Sequence, residues 1–108
     1  MIYRYFYEIM PKAQSDFDNI VEYIRDELYN PYAAENFAKE FFNKIDKVQD
    51  FPALGQAVIG KSFIDSNLRK FNVGNYIVFY IPEKKTQTIN IMRIVYGAMD
   101  IDEELKTT

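Results

Sequence analysis

Four residues in the second half of the chain have side chains suited to binding a partner. Arg69 and Lys70 are adjacent, so a strand would direct them to opposite faces. Arg93 and Tyr96 lie near the end of the last strand candidate. Basic side chains bind an anionic surface, and tyrosine combines a large contact area with a polar end. Arg69, Lys70, Arg93 and Tyr96 are therefore the candidate target-binding residues, and no residue can be assigned a catalytic role.

The residue types that are missing restrict the chemistry further. The sequence contains no Cys and no His. Disulfides, thiolate metal sites and cysteine nucleophiles are thus excluded, as are the usual zinc sites, Ser-His-Asp triads and imidazole bases. Any catalysis must use carboxylate, Lys, Arg, Tyr, Ser or Thr side chains, and we expect no metal and no cofactor.

Charge is distributed unevenly along the chain. The net charge is −3. Residues 11–50 hold five basic and nine acidic side chains, whereas residues 60–97 hold six basic and two acidic ones. A local basic surface can attract an anionic partner even in an acidic protein. The overall acidity argues against strong non-specific binding to nucleic acid, and we expect no sequence-specific DNA binding by this chain alone.

The first half of the chain predicts one strand and two helices. Residues 2–9 alternate as a strand does, and Pro11 suits the first turn of a helix. Asn30 is the predicted N-cap, and Pro31 the first residue, of a second helix that ends near Asp50, before Pro52. The two helices should form an antiparallel hairpin. Its apolar stripes are Ala13, Phe17, Ile20, Ile24 and Leu28, then Ala34, Phe37, Ala38, Phe41, Ile45 and Val48.

The second half predicts three strands. These are residues 68–73, residues 76–81, whose continuous apolar run is typical of a buried central strand, and residues 88–96. Gly74-Asn75 forms the first turn between them. In the last strand, alternation places Ile89, Ile91, Arg93 and Val95 on one face, so Arg93 needs a partner. We expect that partner to be Asp100 or Glu8, unless Arg93 presents its charge to a target; Asp100 is also expected to cap the tail.

The element order βααβββ predicts an α+β fold. We expect a small, twisted, mainly antiparallel sheet with the helical hairpin packed on it, in one domain spanning residues 1–108. The first residues lack the pattern of a signal peptide, and no run approaches the length of a membrane span. We therefore expect a soluble cytoplasmic protein with no membrane partner.

An ordered set of short motifs resembles the RelE/ParE toxins of bacterial type II toxin–antitoxin systems, which include plasmid-stabilisation toxins. The motifs are Ala13…Asp16-Phe17…Ile20…Tyr23-Ile24; Asn30-Pro31…Ala34…Phe37; Phe51-Pro52…Leu54-Gly55; Leu68-Arg69-Lys70-Phe71…Val73-Gly74-Asn75-Tyr76-Ile77-Val78-Phe79-Tyr80; and Ile89…Ile91…Arg93-Ile94-Val95-Tyr96-Gly97…Asp100. Together they span almost the whole chain. The resemblance implies a growth-inhibiting toxin that a cognate antitoxin neutralises.

Two mechanisms are known among such toxins, and the resemblance implies one or the other. RelE-like toxins cut mRNA on the ribosome, with Arg and Lys stabilising the phosphorane charge; ParE-like toxins inhibit DNA gyrase by binding. Ile77 stands where RelE-like toxins tend to carry an Arg, and no Tyr follows Tyr96. The segment Arg93-Ile94-Val95-Tyr96-Gly97 is closer to the ParE pattern. We therefore expect a gyrase-binding toxin that is not an enzyme; the alternatives are a metal-independent endoribonuclease and a non-toxic antitoxin-binding module.

Overall fold

A computed structural model describes residues 4–58 and 67–97 of the chain. The elements follow in the order β1 (Phe6–Ile9), α1 (Pro11–Glu22), α2 (Pro31–Asp50), β2 (Gln56–Ala57), β3 (Arg69–Val73), β4 (Tyr76–Glu83) and β5 (Thr88–Tyr96). One π-helical turn, Tyr23–Glu27, continues α1. The predicted α+β fold is confirmed, with the two-residue strand β2 in addition to the strands that the sequence predicts.

The five strands form one open sheet in the order β1-β5-β4-β3-β2. β1 runs parallel to β5, and the other neighbouring pairs are antiparallel. The apolar run of β4 therefore lies at the centre, as predicted. The Gly74-Asn75 turn also forms, with Gly74 at φ +58°, a left-handed conformation that costs glycine little.

The helical hairpin covers one face of the sheet and builds the main core. Asn30 caps α2 by accepting a hydrogen bond from the Ala33 N–H at 3.0 Å, and Pro31 opens the helix as predicted. Burial recurs along α2 at helical spacing, so one face packs on the sheet. The buried positions of α2 are Ala34, Phe37, Phe41, Ile45 and Val48.

Two local irregularities contradict the predicted spacing of apolar residues, one at the end of α1 and one in β5. The π-helical turn holds more residues than an α-helical turn, and Leu28 leaves the apolar stripe and is exposed. In β5, Tyr80 of β4 pairs with Ile91 whereas Phe79 pairs with Arg93, which makes Met92 the extra residue of a β-bulge. The bulge breaks the alternation. Ile89, Ile91 and Ile94 pack in the main core, whereas Val95 packs with Leu68 and Phe79 in a second cluster.

No helix in the described part of the chain is long and apolar enough to cross a lipid bilayer.

Candidate functional site

Arg93 forms a buried ion pair with Asp16 of α1. Its Nε donates to Asp16 Oδ2 at 2.8 Å and its Nη2 to Asp16 Oδ1 at 3.2 Å. The same carboxylate accepts the Ile94 N–H at 2.9 Å. Only 7% of the Arg93 side chain and 16% of the Asp16 side chain are exposed. The strand pattern of the sequence predicts Glu8 or Asp100 as the partner, whereas the structure shows Asp16. Asp100 lies outside the described residues.

This pairing is possible because β1 is short. β1 pairs with β5 only from Thr88 to Ile91, so it leaves the backbone of Ile94 without a strand partner on that side. α1 follows β1 directly, and Asp16 lies where the Ile94 N–H points outward. The carboxylate thus closes the edge of β5 as a further strand would, and edges closed in this way resist pairing with another chain.

Tyr96 lies at the end of β5 beside two other tyrosines. Its ring meets the Tyr76 ring edge to face at a centroid distance of 5.6 Å, and Tyr76 packs likewise on Phe37 at 5.3 Å. Burial raises the pKa of Tyr76, and the neighbouring Tyr23 and Tyr96 hydroxyls raise it further. The Tyr76 phenol therefore stays protonated at neutral pH.

A shallow cleft of about 200 Å³ lies between α1 and the end of β5. The residues that line it include the ion pair Asp16–Arg93, the two tyrosines Tyr76 and Tyr96, and Asn19 and Ile20 of α1. A second hollow of about 360 Å³ adjoins the same end of the sheet, around Gly74, Asn75 and Gly97. Two of the four predicted residues, Arg93 and Tyr96, therefore line the same cleft.

Arg69 lies elsewhere and holds the corner between α2 and β2. Its Nε and one terminal nitrogen donate to the Gly55 carbonyl at 2.9 and 2.6 Å, and that terminal nitrogen also donates to the Ala53 carbonyl at 3.0 Å. The Tyr80 hydroxyl completes the corner. It donates to the Pro52 carbonyl at 2.8 Å and accepts the Gly55 N–H at 2.9 Å. The Arg69 guanidinium therefore serves to hold this corner through hydrogen bonds to backbone carbonyls.

Lys70 is half-buried and contributes to a third cleft of about 230 Å³ beside Leu54 and Lys44. Lys44 donates to the Asn72 carbonyl at 3.1 Å.

Within the two described ranges, no three carboxylates converge closely enough to hold a metal ion. The candidate residues thus form two separate groups, Arg69 with Lys70 and Arg93 with Tyr96.

Sequence reasoning missed Asp16, Tyr23, Tyr76 and Tyr80 as participants. Asp16 belongs to the toxin-like motif Asp16-Phe17 of α1, and this motif is the only sequence signal for it. Tyr76 and Tyr80 lie in an apolar run that favours a plain core interpretation, so nothing in the local pattern indicated a ring cluster or a corner bond.

Comparison with known proteins decides the family. The model of the ParE toxin of the type II toxin–antitoxin system, parDE, matches residues 7–101. The chain belongs to the ParE toxin family. The resemblance that the sequence motifs indicate, including its ParE branch, is therefore confirmed. No curated protein sequence matches the chain significantly.

Solved structures share the fold of this ParE-family chain at low identity. The chromosomal ParDE system from P. aeruginosa superposes with a TM-score of 0.66 at 17% identity, covering 87% of this chain and 97% of that one. The RelBE2 toxin–antitoxin complex from Mycobacterium tuberculosis gives 0.59 at 14%, covering 86% and 98%. The isolated E. coli RelE toxin gives 0.59 at 11%, covering 95% of each chain. ParE and RelE toxins therefore share this architecture.

Proposed function

We propose that this type II toxin inhibits DNA gyrase by binding it and that a cognate antitoxin neutralises the toxin. The observation that carries the first part is the use of both candidate arginines inside the fold. Arg69 bonds backbone carbonyls, and Arg93 pairs with Asp16. An endoribonuclease needs cations directed at the scissile phosphate, where charge develops in the transition state. A binder needs no such groups, and the family model that matches is that of ParE.

The antitoxin part of the proposal is supported by the related structures. The P. aeruginosa neighbour is a ParDE system, and the M. tuberculosis neighbour is a toxin–antitoxin complex. Exposed rings on this chain, such as those of Phe6 and Phe42, provide apolar area that a bound antitoxin would cover. The expected result is a stable complex when the chain is produced together with the product of the neighbouring gene.

The target is tested with purified protein in two parallel assays. In the first, gyrase supercoils relaxed plasmid DNA in the presence of increasing toxin; in the second, an extract translates a defined message with the same toxin. We expect supercoiling to fall and the message to stay intact. Cut message with unaffected supercoiling would establish the ribosomal alternative. Inactivity in both assays, together with unimpaired growth on induction, would support the non-toxic module.

A further inference from the structure

The tip of the helical hairpin carries large side chains that the fold does not bury. Tyr29 is 87% exposed and Tyr32 80% exposed, and Leu28 and Tyr23 are about half exposed. These four residues, called the hairpin tip below, lie within ten positions around the joint between α1 and α2. Tyrosine is enriched among the residues that contribute most to protein–protein binding. Large apolar side chains that are left exposed around one joint are typical of an interaction site.

Tyr29 has a backbone conformation that is unfavourable for a residue with a side chain. The Asn30 N–H donates to the Ile24 carbonyl, six positions before it, at 3.1 Å, so this helix end is one residue wider than the 6→1 bond of a Schellman motif. Tyr29, directly before Asn30, adopts the left-handed conformation that commonly ends a helix, with φ +50°. Glycine is strongly preferred there because a Cβ destabilises the conformation. Tyr29 therefore costs stability, and its exposed ring does not recover that cost by packing.

The surroundings of the tip are acidic. Residues 22–35 contain four carboxylates, those of Glu22, Asp26, Glu27 and Glu35, and one basic side chain, Arg25, which pairs with Asp26 at 2.9 Å. A cleft of about 200 Å³ runs along the last turns of this helix, lined by Tyr23, Asn19 and three of these carboxylates. Such a surface repels nucleic acid and anionic lipid. It attracts Lys and Arg side chains, which also bind over a tyrosine ring.

We propose that the hairpin tip is the surface with which the toxin docks on its protein target, and that the target offers lysine and arginine side chains to it. The tyrosine rings supply the apolar contact and the carboxylates receive the basic groups. The proposal rests on the proposed function as an inhibitor that acts by binding. It assigns the target contact to the acidic, aromatic tip instead of to Arg69 and Arg93, whose guanidinium groups bond within the fold.

Replacing the strained tyrosine separates docking from stability. Tyr29→Gly should raise the Tm by about 4 °C or more, because glycine relieves the left-handed conformation. The same change should weaken gyrase inhibition about tenfold or more, because it removes an exposed ring. The control is Phe51→Ala. Phe51 is 63% exposed but lies at the far end of α2, about 30 Å along the helix from the tip. It should leave inhibition within about twofold.

A charge variant tests the partner chemistry. Glu22→Gln combined with Glu27→Gln should weaken binding and flatten its dependence on salt, since fewer ionic contacts remain to be screened. Supercoiling inhibition by Tyr29→Gly equal to that of the unmodified chain would overturn the proposal, as would unchanged salt dependence of the charge variant. Loss of antitoxin binding by Tyr29→Gly with gyrase inhibition retained would overturn it too, because the tip would then be an antitoxin surface.

Measuring growth arrest after induction distinguishes failure of the proposed gyrase target from failure of the proposed docking surface. If the unmodified toxin does not bind gyrase, the proposed target is wrong, and the tip is then tested by growth on induction. If Tyr29→Gly is folded and binds the antitoxin but no longer arrests growth, the result supports the hairpin tip as the docking surface for a target other than gyrase. Arrest that persists with Tyr29→Gly overturns it. Absence of arrest by the unmodified chain overturns both proposals.

Discussion

At the scale of single residues, Asp16 organises the edge of the sheet. One carboxylate accepts two guanidinium hydrogens from Arg93 and the backbone N–H of Ile94. A buried charge is tolerated only when it is paired and hydrogen-bonded. Asp16 satisfies both demands and also closes a backbone position that would otherwise be open. Its loss therefore affects the ion pair and the strand edge together.

Replacing Asp16 is expected to destabilise the fold strongly. Asp16→Ala leaves the Arg93 guanidinium buried without this counter-charge, so the free energy of unfolding should fall by about 3 kcal/mol. Urea denaturation followed by circular dichroism measures the change. Arg25→Ala is the matched control, because it removes an ion pair that is exposed to solvent and therefore contributes little to stability. Equal losses for the two variants would show that the Asp16–Arg93 pair does not stabilise the fold in this way.

At the scale of elements, the regular segments are predictable from the sequence and the irregular ones are not. α2 begins and ends where the cap, the proline and the apolar spacing place it, because all these signals are local. The π-helical turn after α1 and the bulge at Met92 depend on how distant elements pack. A sequence pattern that assumes constant period therefore assigns Leu28 to the core and Arg93 to the face of Ile89 and Ile91, and both assignments are wrong.

The candidate site was predictable only by residue type. Arg69, Lys70, Arg93 and Tyr96 can be selected because they are basic or aromatic side chains near predicted strands. Their partners come from elements far away in the chain: Asp16 lies 77 positions before Arg93, and the carbonyls that Arg69 bonds lie 14 and 16 positions before it. Sequence alone therefore does not reveal that both arginines are used inside the fold.

The corner between α2 and β2 yields a prediction about an element junction. A Cβ on Gly55 would lie 2.6 Å from the Lys70 carbonyl oxygen and 2.7 Å from the Tyr80 hydroxyl. Gly55→Ala must therefore push the corner away from β3 and β4, at a cost of about 2 kcal/mol. Gly74→Ala serves for comparison, since a Cβ there meets no atom within 4 Å and only the positive φ is strained. Thermal denaturation should give a lower Tm for Gly55→Ala than for Gly74→Ala. The reverse order would show that the corner between α2 and β2 can shift to accommodate the Cβ at little cost.

At the scale of the whole molecule, two tyrosines couple stability to alkaline pH. Burial raises the pKa of Tyr80, although the Gly55 N–H and Arg69 oppose the rise, and burial also raises the pKa of Tyr76. A phenol whose pKa is higher in the folded than in the unfolded chain stays protonated more readily when folded. The stability that this contributes is complete below the unfolded pKa of about 10. It is lost as the pH rises through the folded pKa.

The free energy of unfolding should therefore decline from about pH 10 upward. Chemical denaturation between pH 8 and 11 measures the decline. Tyr80→Phe should lower the stability at pH 8, because it removes the bond to Pro52, and should make the decline shallower. Tyr7→Phe, at an exposed ring, should leave both unchanged. An equally steep decline in Tyr80→Phe would mean that other groups govern alkaline unfolding.

The pairing of β1 with β5 has a consequence for synthesis of the toxin. The first and last strands of the described fold are neighbours. β1 therefore cannot join the sheet until β5, which ends at Tyr96, has left the ribosome. Contacts between such distant segments form slowly, because a long loop must close before they stabilise anything. The sheet of the nascent chain thus stays incomplete until β5 has been translated. A neutralising protein already present in the cell would meet each new toxin molecule at the moment when its fold is completed.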